Sequence, residues 1–173
     1  MTTREKKIKI CLNIVAMVLS AMVCGAQTNT NTTVADFNKL LGSWKGSLTY
    51  LDYSSGKPYT MPADIKIDRI GNTSQYSFSN IYPNEPKANS IDTFIISADG
   101  SLINKELIKS RKILAKGNIE LVTEELGKDG NDNKDATIRH TYTFGKMKFR
   151  IIKEIQFIGE QKWIKRHEYS YSR

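Results

Sequence analysis

From Trp44 to the end of the chain, apolar and polar residues alternate with a period of two, and no stretch beyond Gly42 shows the 3.6-residue spacing of a helix. Trp44, Gly46, Leu48 and Tyr50 share one face of the first run, while Lys45, Ser47 and Thr49 share the other. Further runs follow at 63–70, 74–81, 91–97, 101–108, 111–114, 118–126, 136–144, 147–157 and 162–172. Nearly every gap holds Gly, Asn, Asp or Pro, as in the 54–58 turn, Gly71-Asn72, Pro83 to Pro86, Asp99-Gly100, Gly117-Asn118, Gly127 to Asn133, Gly145-Lys146 and Gly159-Glu160. Short strands joined by tight turns, with no long crossover, exclude a parallel sheet and favour an antiparallel meander. Such a meander leaves two sticky edges unless it closes. The expected fold is therefore all-β, a single antiparallel up-and-down β-barrel of nine or ten strands with a short N-terminal helical turn. The alternative is a β-sandwich, whose return connection only the 82–90 loop would supply.

The front of the chain reads differently. Arg4, Lys6, Lys7 and Lys9 precede an apolar run from Ile10 through Val23 that ends in Gly25 and Ala26, the three-part pattern of a secretory signal peptide. The run is shorter than the roughly 20 residues of a membrane span. Residues 1–26 are expected to be a signal peptide, 27–36 a flexible tether and 37–173 the barrel. Export to the periplasm or the medium follows, with lipidation at Cys24 as the alternative to cleavage after Ala26. Both cysteines, Cys11 and Cys24, fall in the leader, which leaves the mature domain without a disulfide, a zinc-thiolate site or a thiol nucleophile. Losing the four basic residues and one acid of the leader lowers the net charge from +8 to +5. That excess is spread along the strands and lacks the clustered stripe of a nucleic-acid-binding surface. Asp36 is expected to cap a helical turn that runs to Leu41 and ends at Gly42.

A helical turn followed by Gly42-x-Trp44 at the head of the first strand, with basic residues in the last, resembles the calycin superfamily of lipocalins and fatty-acid-binding proteins. The resemblance implies that Gly42 and Trp44 close one end of the barrel and that an arginine of the final strand, Arg166 or Arg173, packs across the tryptophan. It also implies a ligand in the lumen. The second and third lipocalin motifs are absent, as is the Arg-x-Tyr of fatty-acid-binding proteins, because Glu168 stands two positions after Arg166. The phrase from Gly42 to Pro62 resembles a small family of exported bacterial proteins of unassigned function.

Candidate ligand contacts come from the C-terminal hairpins. A two-residue turn at Gly145-Lys146 pairs Tyr142 with Phe149 and His140 with Ile151. A second at Gly159-Glu160 pairs Ile155 with Ile164 and Lys153 with Arg166. His140, Tyr142, Lys153, Arg166 and Glu168 then share the mainly apolar inner face. A three-residue second turn would instead turn Lys165, His167 and Tyr169 inward. Charges facing a barrel interior are costly unless paired, so the cluster is either a self-satisfied network or a cradle for an anionic group. The Asp129 to Asp135 stretch alternates oxygen ligands but lacks the glycine and the terminal glutamate of a calcium loop. Ser55-Gly56-Lys57 lacks the upstream glycine of a phosphate loop. No cofactor and no metal are expected.

These residues predict a monomeric, exported barrel that binds a small hydrophobic or amphipathic anionic ligand in its lumen. The alternatives are an interaction module with a filled core, using the Pro83 to Pro86 loop, and a barrel hydrolase or isomerase with His140 or Glu168 as its acid-base group.

Overall fold

In the computed structural model, residues 30–52 and 56–173 are described. The expected signal peptide, the start of the tether and part of the 54–58 turn lie outside them. Eleven strands form one antiparallel sheet: β1 (Gly42–Asp52), β2 (Lys57–Pro62), β3 (Asp64–Arg69), β4 (Gln75–Ile81), β5 (Ser90–Ile95), β6 (Leu102–Ile103), β7 (Glu106–Ile113), β8 (Ile119–Asp129), β9 (Lys134–Phe144), β10 (Lys148–Phe157) and β11 (Ile164–Ser172). Apart from β2 and β3, which both pair with β1, consecutive strands lie side by side. β1 joins β11, which brings the first and last strands together. The Ile96–Ile103 bridge joins β5 to β6 and nearly closes the barrel.

The strand count fits the alternation, and the differences have local causes. β2 and β3 continue in one register along β1 and act as a single bent stave, interrupted at Ala63. The sequence hides β2 because Pro58 and Pro62 look like turn residues. Both are tolerated because β2 pairs only with β1, so its other edge needs no amide donors. Asn104, at φ 56, makes the β6–β7 turn, so the chain reverses there and runs on through 108–111, where sequence suggested a break.

Residues 30–36, expected within the tether, are helical. Helix α1 spans Thr30–Phe37 and runs into a 3₁₀ turn, Asn38–Leu40. Asp36 does not begin a helix; it is buried and holds Arg111 through two hydrogen bonds of 2.6 and 3.1 Å. Phe37 and Leu40 are wholly buried among Trp44, Tyr76, Phe78, Phe144 and Phe149. The Tyr76 hydroxyl donates within reach of the Val34 carbonyl and the Asn38 side chain, at 3.0 and 2.9 Å. α1 and its 3₁₀ turn thus plug one end of the barrel.

Trp44 lies at the same end. Its indole N–H donates to the Leu40 carbonyl at 2.7 Å, and its ring meets Phe149 edge-on at 5.9 Å. Arg173, from the end of the chain, lies over the indole at 4.0 Å and donates to the carbonyls of Leu41, Lys39 and Lys146. Of the two arginines in question, Arg173 is therefore the one across the tryptophan. Gly42 sits at φ +105, a conformation other residues rarely adopt, and lets the chain leave the 3₁₀ turn beneath that guanidinium. A side chain at Gly46 would strike the Tyr171 ring and the Ser170 carbonyl, so this glycine provides the room in which Tyr171 packs.

Along the barrel axis the interior has three layers. The large apolar cluster fills the plugged end. A smaller cluster of Ala136, Ile138 and Ile155, with Phe157 and Ile164, lies among the far halves of β8 to β11. Between them runs a row of polar side chains.

Candidate functional site

The polar row crosses four strands in register. Thr123 on β8 pairs with His140 on β9, His140 with Lys153 on β10, and Lys153 with His167 on β11. Glu106, the first residue of β7, reaches the same layer and is nearly buried. Its carboxylate accepts a hydrogen bond from the Thr123 hydroxyl and lies 2.9 Å from His140 Nδ1. A carboxylate in that position favours the tautomer with the proton on Nδ1, which leaves Nε2 as the acceptor.

The β9–β10 connection is longer than a two-residue turn. Phe144 pairs with Phe149, and Tyr142 pairs with Ile151. The slip from the expected register is two residues, an even number, so every inward side chain remains inward. The second hairpin begins as expected, with Ile155 opposite Ile164, but a β-bulge follows between Lys153 and Glu154. Lys165 pairs with Glu154 and His167 with Lys153, so Arg166 is the extra residue on β11.

The bulge decides which candidates meet. Arg166 and His167 both reach the interior side, and Tyr169 and Tyr171 follow at alternate positions. Glu168, expected to face inward, is on the outer face. Lys165 Nζ is 2.9 Å and Arg150 Nε 3.7 Å from its carboxylate. Lys153 and Arg166 come together on Asp129 at the end of β8, at 3.3 and 2.6 Å. Burial pushes the Asp129 carboxyl up, but the charges of Arg166 and Lys153 outweigh it and hold the group below its ordinary range. His140 and Tyr142 face the cavity described next.

At the junction of the polar row and the large apolar cluster lies a cavity of about 150 Å³, lined by Phe78, Phe94, Tyr142, Tyr169, His140, His167 and Glu106 among others. Phe78 and Phe94 stack at 3.9 Å, and Tyr169 and Tyr171 stack at 5.8 Å, so its walls are flat aromatic faces. The Tyr169 hydroxyl is hydrogen-bonded to that of Tyr82 at 2.8 Å. Asn80 donates to Asp92 at 2.7 Å, and both border the cavity. The wall is open beside it: β5 pairs only with β4 before its end, and β8 beyond Glu124 pairs only with β9.

Burial sets the protonation states here. His167 is pushed down to about 4, first by loss of solvent and then by repulsion from Lys153 and from His140 when that ring carries a proton, against the opposing pull of Asp129. It is neutral at pH 7. Burial and the bond to Tyr82 push the Tyr169 hydroxyl up, so it remains a proton donor. Burial has the same effect on Tyr142, reinforced by the Glu106 charge. Among the described residues, no three His, Cys, Asp or Glu side chains gather as a metal site would require.

Glu106 is the site residue that the sequence reading does not reach; Tyr169 turns inward there only under the alternative turn, and Asp129 enters only as part of the rejected calcium-loop pattern. Glu106 had one legible signal, an acid isolated between Leu102-Ile103 and Leu107-Ile108. Its partner His140 lies 34 positions away, and nothing local links the two.

These features define the protein as a nearly closed antiparallel β-barrel, plugged at one end, with a small aromatic and polar cavity toward the other. The crystal structure of Rv2717c from M. tuberculosis has a similar fold, with a TM-score of 0.55 at 12% identity over 82% of this chain and 96% of that one. A protein with unknown function from the DUF3598 family of Nostoc punctiforme gives a TM-score of 0.40 at 14% identity, over 79% of this chain and 48% of that one, too distant in shape to bear on the fold. No family model matches the chain, and no curated protein matches it.

Proposed function

We propose that the protein is an exported, calycin-type barrel that binds a small, largely apolar ligand in the cavity between Phe94, Tyr142 and Tyr169. The observation that carries this reading is the cavity itself: aromatic faces on its walls, a few convergent polar groups, and an opening where β5 and β8 lack partners. The calycin assignment draws on the stacking of Arg173 over Trp44 beneath the 3₁₀ turn. Export draws on the basic and apolar pattern of residues 1–26.

Size and charge narrow the ligand. An apolar cavity of about 150 Å³ admits benzene, whereas drug-sized ligands occupy about 300 Å³ or more. The ligand is thus a one- or two-ring molecule or a short chain. Glu106 and Asp92 border the cavity, while Lys153 and Arg166 are turned toward Asp129. The enclosed part of the ligand is accordingly uncharged and offers a hydrogen-bond donor or acceptor, and an anionic group would lie at the Lys153 side. Native mass spectrometry of the protein purified from its own host should show a retained mass of this size that is lost on denaturation. A bare protein that also binds no small aromatic in calorimetry would remove the reading.

A further inference from the structure

We propose that the Glu106–His140 pair is a general base, and that the cavity carries out proton transfer on a small planar carbon acid whose developing negative charge is held by the Tyr82–Tyr169 pair. This rests on the binding reading above and adds chemistry to it.

The geometry supplies each part. His140 Nδ1 is engaged by Glu106 at 2.9 Å, and Glu106 is itself anchored by Thr123, so the ring is fixed in orientation and tautomer. Nε2 is the nitrogen left to accept a proton. When it does so, the imidazolium forms beside a carboxylate already in hydrogen-bond contact, which stabilises the charge where it appears. The ring lines the cavity and its side chain is 19% exposed, so a ligand can reach it.

The other titratable groups facing this layer fit the same role. His167, on the neighbouring strand but one, is neutral at pH 7 and adds no competing cation. Lys153, between the two histidines, is directed to Asp129. Of the two hydroxyl hydrogens in the Tyr82–Tyr169 pair, one lies between the oxygens and the other is available to a ligand oxygen. His140, the aromatic slot and Tyr169, whose hydroxyl is bonded to that of Tyr82, therefore border a single cavity.

The step balances without a co-reactant. A C–H bond beside a carbonyl or similar acceptor breaks, its proton passes to His140 Nε2, and the electron pair moves onto the acceptor oxygen, which takes a hydrogen bond from the tyrosine pair. Return of the proton to a different carbon gives an isomer of the substrate and restores the neutral histidine. The class of reaction is a proton-shift isomerisation of a small, flat carbonyl compound.

The test uses 5-nitrobenzisoxazole, in which removal of the C3 proton breaks the N–O bond and releases a coloured cyanophenolate. Binding is followed separately by calorimetry with the unreactive 5-nitroindole. The purified protein should eliminate the probe about 10²-fold faster than free imidazole at equal concentration and pH. The kcat/KM should rise with pH through a single ionisation, and H140Q should lose that ionisation. E106Q, which keeps the shape and the contact to Thr123, should lower kcat about tenfold or more with little change in KM. Binding of 5-nitroindole without turnover above imidazole overturns the catalytic proposal and leaves the binding reading standing. Turnover that persists above imidazole in H140Q, or that is undiminished in E106Q, also overturns it. Absence of both binding and turnover overturns it together with the aromatic-slot reading.

Discussion

The two ends of the barrel are built from the same strands and solve opposite problems. At the plugged end, Phe37, Leu40, Trp44, Tyr76, Phe144 and Phe149 exclude water completely, and the polar atoms there are spent on one another: the indole N–H on Leu40, the Tyr76 hydroxyl on the helix, and Asp36 on Arg111. Further along the barrel, the same β9, β10 and β11 turn His140, Lys153 and His167 inward, and the wall beside them is open. Burial at the first end is driven by the hydrophobic effect. At the second, a polar row is kept between two apolar clusters at a cost that only pairing and partial hydration offset. Such a layer adds little to stability, so the proposed site lies where stability is least at stake, away from Trp44.

Substitutions can break this contrast. The largest effect is expected from Trp44→Ala, which removes the ring under Arg173 and against Phe149 and should cost about 3–5 kcal/mol in urea unfolding. A loss below about 1 kcal/mol would show that the plugged end is not where stability resides.

The next effect is one of pH. Unfolded, His167 takes up a proton as pH falls below 6.5, whereas folded it resists until about 4. The unfolded state therefore binds more protons across that window, and stability should fall as pH drops through it. His167→Gln should flatten the slope between about pH 6.5 and 4. Asp129 has the opposite assignment, a carboxylate held low, so its contribution persists through that window and fades only in stronger acid. An unchanged slope in the His167 variant would place that ring in water and argue against an enclosed site.

The smallest effect is expected from Arg173→Ala. It removes a cation–π contact and three hydrogen bonds to carbonyls, but the side chain lies at the surface, so a loss of about 1–2 kcal/mol is expected. A comparable loss in a Trp44→Phe background would show that the indole is not its partner, because a true pair is non-additive.

Much of this was written in local pattern. The alternation carried the strands, and the Gly42-x-Trp44 phrase marked the plugged end. The paired Gly-Lys and Gly-Glu turns fixed the parity of the last three strands, which is why His140 and Tyr142 face the cavity even though the first hairpin slipped by two residues. Parity survives an even slip and fails at a bulge. That is how Glu168, expected inside, came to lie outside beside Lys165 and Arg150, while His167 and Tyr169 took the interior. The bulge leaves only a change of parity in the sequence, with apolar Ile164 at an even position and aromatic Tyr169 and Tyr171 at odd ones.

By itself, the sequence determined the class of fold, the closed meander and the residue at its plug, because a period of two with tight turns admits few other ways to bury one face and hide two edges. Only the tertiary structure decided the site. The Glu106–His140 contact joins β7 to β9, the Tyr82–Tyr169 contact joins the end of β4 to β11, and the Asp129 ion pairs join β8 to β10 and β11. The first follows from strand order alone, whereas Arg166 reaches Asp129 through the bulge; all bring together side chains whose own neighbours in sequence carry no trace of the partner.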